Sequence, residues 1–111
     1  MTFEEASAKA LAFREDRDWK QFHNPKDLAI SINLEAAELL ESFQWSGADL
    51  NVEKKRDHIA EELADVMNYC IQMADKLGVD LDQIINDKID QNEKKYPVEK
   101  SRGNSMKYTE L

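Results

Sequence analysis

A glutamate interrupts the apolar face of the helix predicted around residues 31–45. On an α-helix, residues three, four and seven positions apart share a face. Glu35 therefore lies in the middle of the face that should be buried, and Glu38 lies about 60° to one side. Four neighbours on the same face are Leu28, Ile32, Leu39 and Ser42. Since a carboxylate buried there is strongly unfavourable unless another group pairs with it, the rest of the chain must supply a partner for this charge.

The same arrangement occurs in the longest predicted helix, which we expect to run from a cap at Asn51 to about Leu77, with Gly78 after its end. The inner face of this helix contains Glu62, and Asp65 follows three residues later. The other side chains on that face are Ile59, Val66, Tyr69 and Met73. Two acidic pairs with equal spacing on two helices can point into one space between those helices.

Four carboxylates cannot all stay ionised in a partly dry cleft, because like charges raise one another's pKa. A divalent cation resolves this, and all-oxygen ligation selects Mg²⁺ first, with Mn²⁺ as a substitute. Such a cation activates water and neutralises charge on a phosphoryl group. The alternative is that these acids belong to two solvated helix faces, since pairs with this spacing also arise by chance in a chain with 23 acidic residues.

The composition excludes several classes of partner. Charged residues make up 34% and hydrophobic residues 41% of the chain, with three Gly and two Pro, which is typical of a helix-rich protein. The net charge of −8 argues against binding a nucleic-acid polymer, which requires basic residues. No apolar run approaches the roughly 20 residues that span a bilayer. Because Cys70 is the single cysteine, it forms no internal disulfide, so we expect a cytoplasmic protein.

Capping signals predict where the first two helices begin. Thr2 followed by Glu5 is a capping-box pattern, so the first helix should start there. Asn24 with Pro25 directly after it is a typical start for the second helix, which contains the acidic residues described above. We expect this second helix to end near Trp45.

A fourth helix should begin after Asp80, with Gln83 in the capping-box position, and should end before Pro97. The remaining residues, 98–111, have too few apolar side chains for a core element and are expected to form an extended tail. No stretch shows the alternation typical of a strand. The sequence therefore predicts an all-α, four-helix bundle protomer with no sheet, formed by one domain over residues 1–111.

Several motifs resemble those of one known family. The segments LEAAEL at residues 34–39 and EELADV at residues 61–66 resemble the signature of the MazG-like, all-α nucleoside triphosphate pyrophosphohydrolases. Seven further segments resemble the branch of this family typified by dCTP pyrophosphatase. They are RDW at 17–19, QFH at 21–23, FQW at 43–45, KIDQN at 88–92, YPV at 96–98, SRG at 101–103 and KYTEL at 107–111.

The resemblance implies a role for each matching residue. It places the Mg²⁺ ligands at Glu35, Glu38, Glu62 and Asp65. It places nucleobase contacts at Trp19, His23 and Trp45, and sugar or phosphate contacts at Tyr69, Lys88, Asn92 and Tyr96. The predicted catalytic residues are Glu35 and Glu38, with Glu38 as the general base because water can enter at the edge of the acidic face.

The resemblance also implies an activity and an assembly. The family cleaves a nucleoside triphosphate between its α- and β-phosphates, giving the monophosphate and pyrophosphate, and we expect dCTP or a related deoxynucleotide as substrate. The expected role is clean-up of the nucleotide pool. The expected working form is a homo-oligomer, either a dimer or a dimer of dimers, with sites formed at subunit interfaces.

Two other functions are compatible with parts of the sequence. A ferritin-like di-iron bundle requires Glu-x-x-His on two helices, but here lysines stand three residues before both histidines, His23 and His58. A non-enzymatic helical dimerisation module would use the acids structurally, and it predicts no thermal stabilisation by Mg²⁺ plus nucleotide. In that case Trp19 and Trp45 would be packing residues, and Lys88 would be a solvated lysine whose stem covers apolar surface.

Overall fold

The structure, a computed structural model that describes residues 1–111, contains helices and no strands, which confirms the predicted all-α class. The α-helices are α1 (Phe3–Asp16), α2 (Pro25–Glu41), α3 (Arg56–Leu77), α4 (Leu81–Lys95) and α5 (Val98–Ser101). Short 3-10 helices cover Lys20–Phe22, Glu53–Lys55 and Tyr108–Glu110. The chain divides into two compact units, Met1–Gly78 and Val79–Leu111, and the single domain stays a prediction.

The predicted caps of the first two helices are confirmed by hydrogen bonds. The Glu5 backbone N–H donates to Thr2 Oγ1 over 3.1 Å, and the Asp27 N–H donates to Asn24 Oδ1 over 2.9 Å. Both bonds satisfy backbone donors that the first turn of a helix leaves without partners. At the end of α3, Gly78 adopts a positive φ of 69°, as expected for a glycine that terminates a helix.

The end of α2 differs from the prediction. The helix ends at Glu41 rather than near Trp45, because the next turns are held by tighter hydrogen bonds. The N–H groups of Ser42, Phe43 and Gln44 each donate to the carbonyl three residues earlier. Such bonds narrow the last turn of a helix. Trp45 then adopts a positive φ of 67°, which turns the chain away from the helix axis.

The predicted cap at Asn51 is wrong. The α-helix α3 begins at Arg56, after the short 3-10 helix, and no side chain caps its first turn. The polar group that organises this loop is Asp49, whose Oδ1 accepts hydrogen bonds from the N–H groups of Asn51 and Val52. Val52 is itself buried and has a positive φ of 47°. The hydrogen bonds of Asp49 and the burial of Val52 therefore organise the chain before α3, in place of a cap at Asn51.

In the first unit, α1 and α2 both pack against α3. Lys55 Nζ donates to the carbonyl oxygen of Ser42 over 3.3 Å, which places the end of α2 beside the start of α3. The two helices are therefore antiparallel, as expected for neighbours joined by a short loop. Burial of Leu28 on α2 and of Ile71 and Ala74 on α3 fixes which faces meet, and the acidic faces meet with them.

An ion pair between a buried arginine and a partly exposed aspartate joins the last turns of α1 and α3. Arg14 is only 3% exposed, and its guanidinium donates to Asp75 Oδ2 over 2.9 Å and to Glu15 Oε1 over 2.6 Å. The Arg14 carbonyl also accepts from the N–H of Trp19. One residue therefore links both helices to the loop that carries Trp19.

Replacing Asp75 by asparagine should lower the free energy of unfolding by about 1–3 kcal/mol, because the buried Arg14 charge loses one of its two anionic partners. Urea denaturation followed by circular dichroism measures this change. Glu15→Gln is the matched comparison, since Glu15 is more exposed and its loss should cost less. Equal effects of the two substitutions would contradict this account.

The second unit begins with the cap of α4. Asp80 Oδ1 accepts from the N–H of Asp82 over 3.0 Å, which confirms Asp80 as the cap. The predicted capping box is wrong, because the Gln83 amide points along the helix and donates to Asp87 Oδ1. The helix ends at Lys95, before Pro97 as predicted.

The C-terminal tail contains two short elements that the sequence pattern did not predict, α5 and the final 3-10 helix. The tail turns back to the end of α4, where the ring of Tyr108 meets that of Tyr96 edge-on at 6.0 Å between centroids. Lys95 Nζ lies 4.9 Å from the centroid of the same Tyr108 ring, a cation–π distance. None of the helices is both long and apolar enough to cross a bilayer.

Candidate active site

Three carboxylates from two helices meet between α2 and α3. One oxygen each from Glu35, Glu62 and Asp65 can be chosen so that all three lie within 4.8 Å of one another. The antiparallel packing of the two helices sets this arrangement, since Glu35 is near the middle of α2 and the other two are one turn apart on α3. The two acidic faces predicted from the sequence therefore share one space.

Glu38 completes the group from the exposed side. Its carboxyl is a neighbour of both Glu35 and Glu62 and affects the pKa of each. Burial, followed by the hydrogen bond and charge of Glu38 and the charge of Asp65, raises the pKa of Glu35 above its ordinary value. Burial and the neighbouring Glu38 likewise raise the pKa of Glu62, although His58 opposes the shift. The cluster therefore resists holding its full negative charge without a cation.

Two oxygens of this cluster have no partner in the protein. Glu35 Oε2 and Glu62 Oε2 are both buried and make no hydrogen bond. Glu62 is only 12% exposed, and its other oxygen lies 3.5 Å from His58 Nε2. Buried carboxylate oxygens usually find a hydrogen-bond donor or a metal ion. A hard divalent cation fits these residues, because it accepts several carboxylate oxygens at once.

The cluster opens into a cleft of about 470 Å³ on the α1 side of the first unit. Glu35 and Asp65 lie at the acidic part of its wall. Aromatic and polar side chains form other parts of the wall, namely Phe13, Trp19, His23, Asn68, Tyr69 and Gln72. The remaining lining residues are Met1, Ala6, Lys9 and Ala10. Lys9 is the one lysine or arginine in this lining.

The aromatic side chains of the cleft are held by contacts with one another. Trp19 meets Phe13 edge-on at 5.7 Å between ring centroids, and the Arg17 guanidinium lies 3.6 Å from the Phe13 centroid. His23 meets Tyr69 edge-on at 6.5 Å. Burial, and then the positive charge of Arg14, lowers the pKa of His23. The imidazole is therefore neutral at pH 7, and its buried Nδ1 has no hydrogen-bond partner.

A second hollow, also of about 470 Å³, lies on the other side of the acidic cluster. It is lined by Glu38 and Glu62 together with Glu41, Ser42, Lys55 and His58. The four predicted metal ligands are therefore divided between two openings, two of them lining each. Water can reach Glu38 through the second hollow.

The remaining predicted site residues lie elsewhere. Trp45 is 92% exposed and lines neither of these openings. Lys88, Asn92 and Tyr96 belong to the second unit, on α4 and at its end. The functional roles of all four stay predictions.

Sequence reasoning missed the polar residues that α3 adds to the cleft. Gln72 comes ten residues after Glu62, about 80° away around the helix, so it fell outside the face centred on Glu62. Taking Asp65 as the centre would have found it, since the two are seven residues apart. The contribution of α1 was also missed, because its Phe13 and alanines had the pattern of an ordinary packed face.

Comparison with known proteins identifies the family. The model of the MazG-like family matches residues 30–111, which include all four clustered acids. The chain belongs to the MazG-like family.

Named relatives of this MazG-like chain align over almost its whole length. It is 39% identical to dCTP pyrophosphatase 1 of Mus musculus over 115 residues, covering 99% of this chain and 68% of the mouse protein. The corresponding protein of Homo sapiens is 36% identical with the same coverage. A crystal structure of a pyrophosphatase from Archaeoglobus fulgidus DSM 4304 superimposes with a TM-score of 0.78 at 39% identity, covering 85% of this chain and 91% of the other. The MazG-like fold is therefore supported by sequence and by structure.

Proposed function

We propose that this MazG-like protein hydrolyses dCTP, or a closely related deoxynucleoside triphosphate, to the monophosphate and pyrophosphate with the help of Mg²⁺. The observation that carries the proposal is the acidic cluster that opens directly into an aromatic cleft. The acidic cluster suits a triphosphate bound through a cation, and the aromatic cleft suits a flat base. The relatives named as dCTP pyrophosphatases support the choice of nucleotide.

The cation would be held by Glu35, Glu38, Glu62 and Asp65, with Mn²⁺ as a possible substitute for Mg²⁺. When bound, it neutralises negative charge on the phosphates and favours ionisation of water. A cation matters here because the cleft wall carries two carboxylates, Glu35 and Asp65, and a single basic side chain, that of Lys9. A triphosphate would otherwise be repelled.

Glu38 is the proposed general base. It is exposed at the edge of the cluster and lines the second hollow, so water has access to its carboxyl. The water, oriented by Glu38, attacks the α-phosphorus of the substrate in line with its bond to the oxygen that bridges the α- and β-phosphates. That bond breaks, pyrophosphate leaves, and Glu38 takes up the proton of the water.

Trp19, His23 and Tyr69 are the proposed contacts for the nucleoside. The faces of Trp19 and Tyr69 can stack on a base or sugar, and the neutral His23 offers one donor and one acceptor. Trp45, Lys88, Asn92 and Tyr96 are proposed to bind the base, sugar and phosphates as the family resemblance implies.

A nucleotide panel tests this proposal. Wild-type protein with Mg²⁺ is incubated with dCTP, 5-substituted dCTP, dATP, dTTP, dUTP and CTP, and pyrophosphate and monophosphate are quantified. The proposal requires equal amounts of these two products, with dCTP or one of its 5-substituted forms used best. Release of orthophosphate alone would overturn it, since that product comes from cleavage at the terminal phosphate.

We also propose that the working form is a homo-oligomer, a dimer or a dimer of dimers. The outer face of α2 carries a second apolar row, formed by Ile30, Leu34, Ala37 and Leu40. These side chains are exposed, with Leu34 at 59% and Leu40 at 70%. An apolar surface on two faces is typical of a helix that is buried on both sides. A second copy of the chain is therefore the simplest partner to cover the outer face of α2.

Replacing Leu34 by glutamate should therefore weaken self-association by at least about 100-fold, because a carboxylate would be buried at the interface. Sedimentation equilibrium of the wild type and the variant measures this change. Leu50→Glu is the matched control, since Leu50 is an exposed leucine outside α2. Unchanged association of the Leu34 variant would exclude this face as the interface.

A further inference from the structure

A glutamine in the wall of the cleft has an oxygen with no hydrogen-bond partner in the protein. Gln72 lies on α3, is only 9% exposed and lines the cleft together with Trp19 and His23. Its Oε1 is buried and accepts no hydrogen bond. A buried polar atom without a partner destabilises a folded protein, so its presence in a cleft wall points to a ligand that supplies the missing bond.

The position of Gln72 relative to the acidic cluster matches the length of a nucleotide. Gln72 follows Asp65 by seven residues on α3, which is two turns or about 10 Å along the same face. Tyr69 lies between them, and both Asp65 and Gln72 line the cleft. With phosphates at the carboxylates, a nucleoside laid along this face would bring the far edge of its base to Gln72.

We propose that Gln72 recognises the hydrogen-bonding edge of the nucleobase and favours a base with an exocyclic amine, as in cytosine. This inference rests on the proposed function. A carboxamide presents one acceptor and one donor side by side. The exocyclic amine would donate to Oε1, and the adjacent ring nitrogen would accept from Nε2. Rotation about the soft terminal torsion of the side chain turns Oε1 toward the cleft.

His23 strengthens this assignment, because its Nδ1 is a second buried polar atom without a partner in the same wall. Two such atoms beside aromatic rings form a polar edge next to a stacking surface. That is the combination by which proteins read a base that is not paired with another base. Gln72 is therefore a specificity-determining residue of this cleft.

The test combines one substitution in the protein with one deletion in the substrate. Gln72→Leu removes both polar atoms and keeps the side chain apolar and similar in size. The substrates are dCTP and the deoxynucleoside triphosphate of 2-pyrimidinone, which lacks the exocyclic amine. In the wild type, loss of the amine should lower kcat/KM by roughly 5- to 150-fold, because Oε1 is left without its donor. In Gln72→Leu, the two substrates should be used equally well.

A stability measurement separates this role from a structural one. Because Gln72→Leu removes an unpartnered polar atom, the melting temperature of the nucleotide-free variant should stay unchanged or rise by up to about 5 °C. Asn68→Leu is the control, since Asn68 is the other carboxamide in the cleft wall and lies one turn before Gln72 on α3. This substitution should change kcat/KM for both substrates by the same factor. A fall in melting temperature for Gln72→Leu, or an unchanged ratio of the two substrates, would overturn the proposal.

Binding distinguishes a failure of this inference from a failure of the proposed function. Dissociation constants for the α,β-methylene analogues of both nucleotides report base recognition without requiring cleavage. A wild-type preference for the amine-bearing analogue that is lost in Gln72→Leu supports the role of Gln72 even if no pyrophosphate is released from dCTP. Equal binding of both analogues to the wild type overturns the role even if dCTP is hydrolysed.

Discussion

Replacing Glu35 by glutamine is expected to reduce pyrophosphate release from dCTP by at least about 100-fold while the protein stays folded. Glu35 is the one residue of α2 in the group of three oxygens that lie within 4.8 Å of one another, and it also lines the cleft. Its amide would keep the shape of the side chain but remove the charge that holds a cation. Because burial and Glu38 already raise the pKa of Glu35, losing this charge should not destabilise the metal-free protein.

Glu61→Gln is the matched control. Glu61 is an exposed acid directly before Glu62 on α3, and it lines neither opening. Steady-state assays of both variants, with melting curves followed by circular dichroism, separate loss of catalysis from loss of structure. Full activity in Glu35→Gln would show that the acidic cluster is not the catalytic centre.

The position of this cluster could be predicted because helical periodicity alone sets it. Once Glu35 and Glu62 fall on the inner faces of two helices, packing of those faces brings the carboxylates together. The helix caps at Thr2, Asn24 and Asp80 could also be predicted, since each side chain accepts a hydrogen bond from a backbone N–H only two or three residues later. The family was predicted separately, from the resemblance of the segments at residues 34–39 and 61–66 to its signature.

Features set by the backbone conformation of loops, or by contacts distant in the sequence, were not predictable. The end of α2 and the start of α3 are set by tight turns, by positive φ angles at Trp45 and Val52 and by the hydrogen bonds of Asp49. The burial of Arg14 depends on Asp75, which is 61 residues away. No local periodicity identifies an arginine as buried, because its burial depends on how α1 and α3 pack. Gln72 shares a helical face with Asp65, but only the packing of α1 and α3 shows that this face lines a cleft.

Removal of divalent cations should abolish pyrophosphate release and should lower stability most at neutral pH. The folded-state pKa values of Glu35 and Glu62 are raised above the ordinary value of 4.5. The folded protein therefore binds more protons than the unfolded chain between pH 4.5 and those raised values. Without metal, stability falls as the pH rises through that window, and the full penalty is present above it. Below pH 4.5 these carboxyls are protonated in both states and the penalty disappears.

Mg²⁺ binds the ionised cluster of the folded state, so it should offset this penalty only where the carboxyls are ionised. At a Mg²⁺ concentration of 100 times its Kd, the free energy of unfolding should increase by about 2.7 kcal/mol. Melting curves in EDTA and in MgCl2 between pH 4.5 and pH 8 measure the gain, which should grow as the pH rises and should shrink in Glu35→Gln. A gain in melting temperature that is the same at every pH, or is unaffected by Glu35→Gln, would place the cation elsewhere, because only a site made of these carboxylates couples cation binding to their protonation.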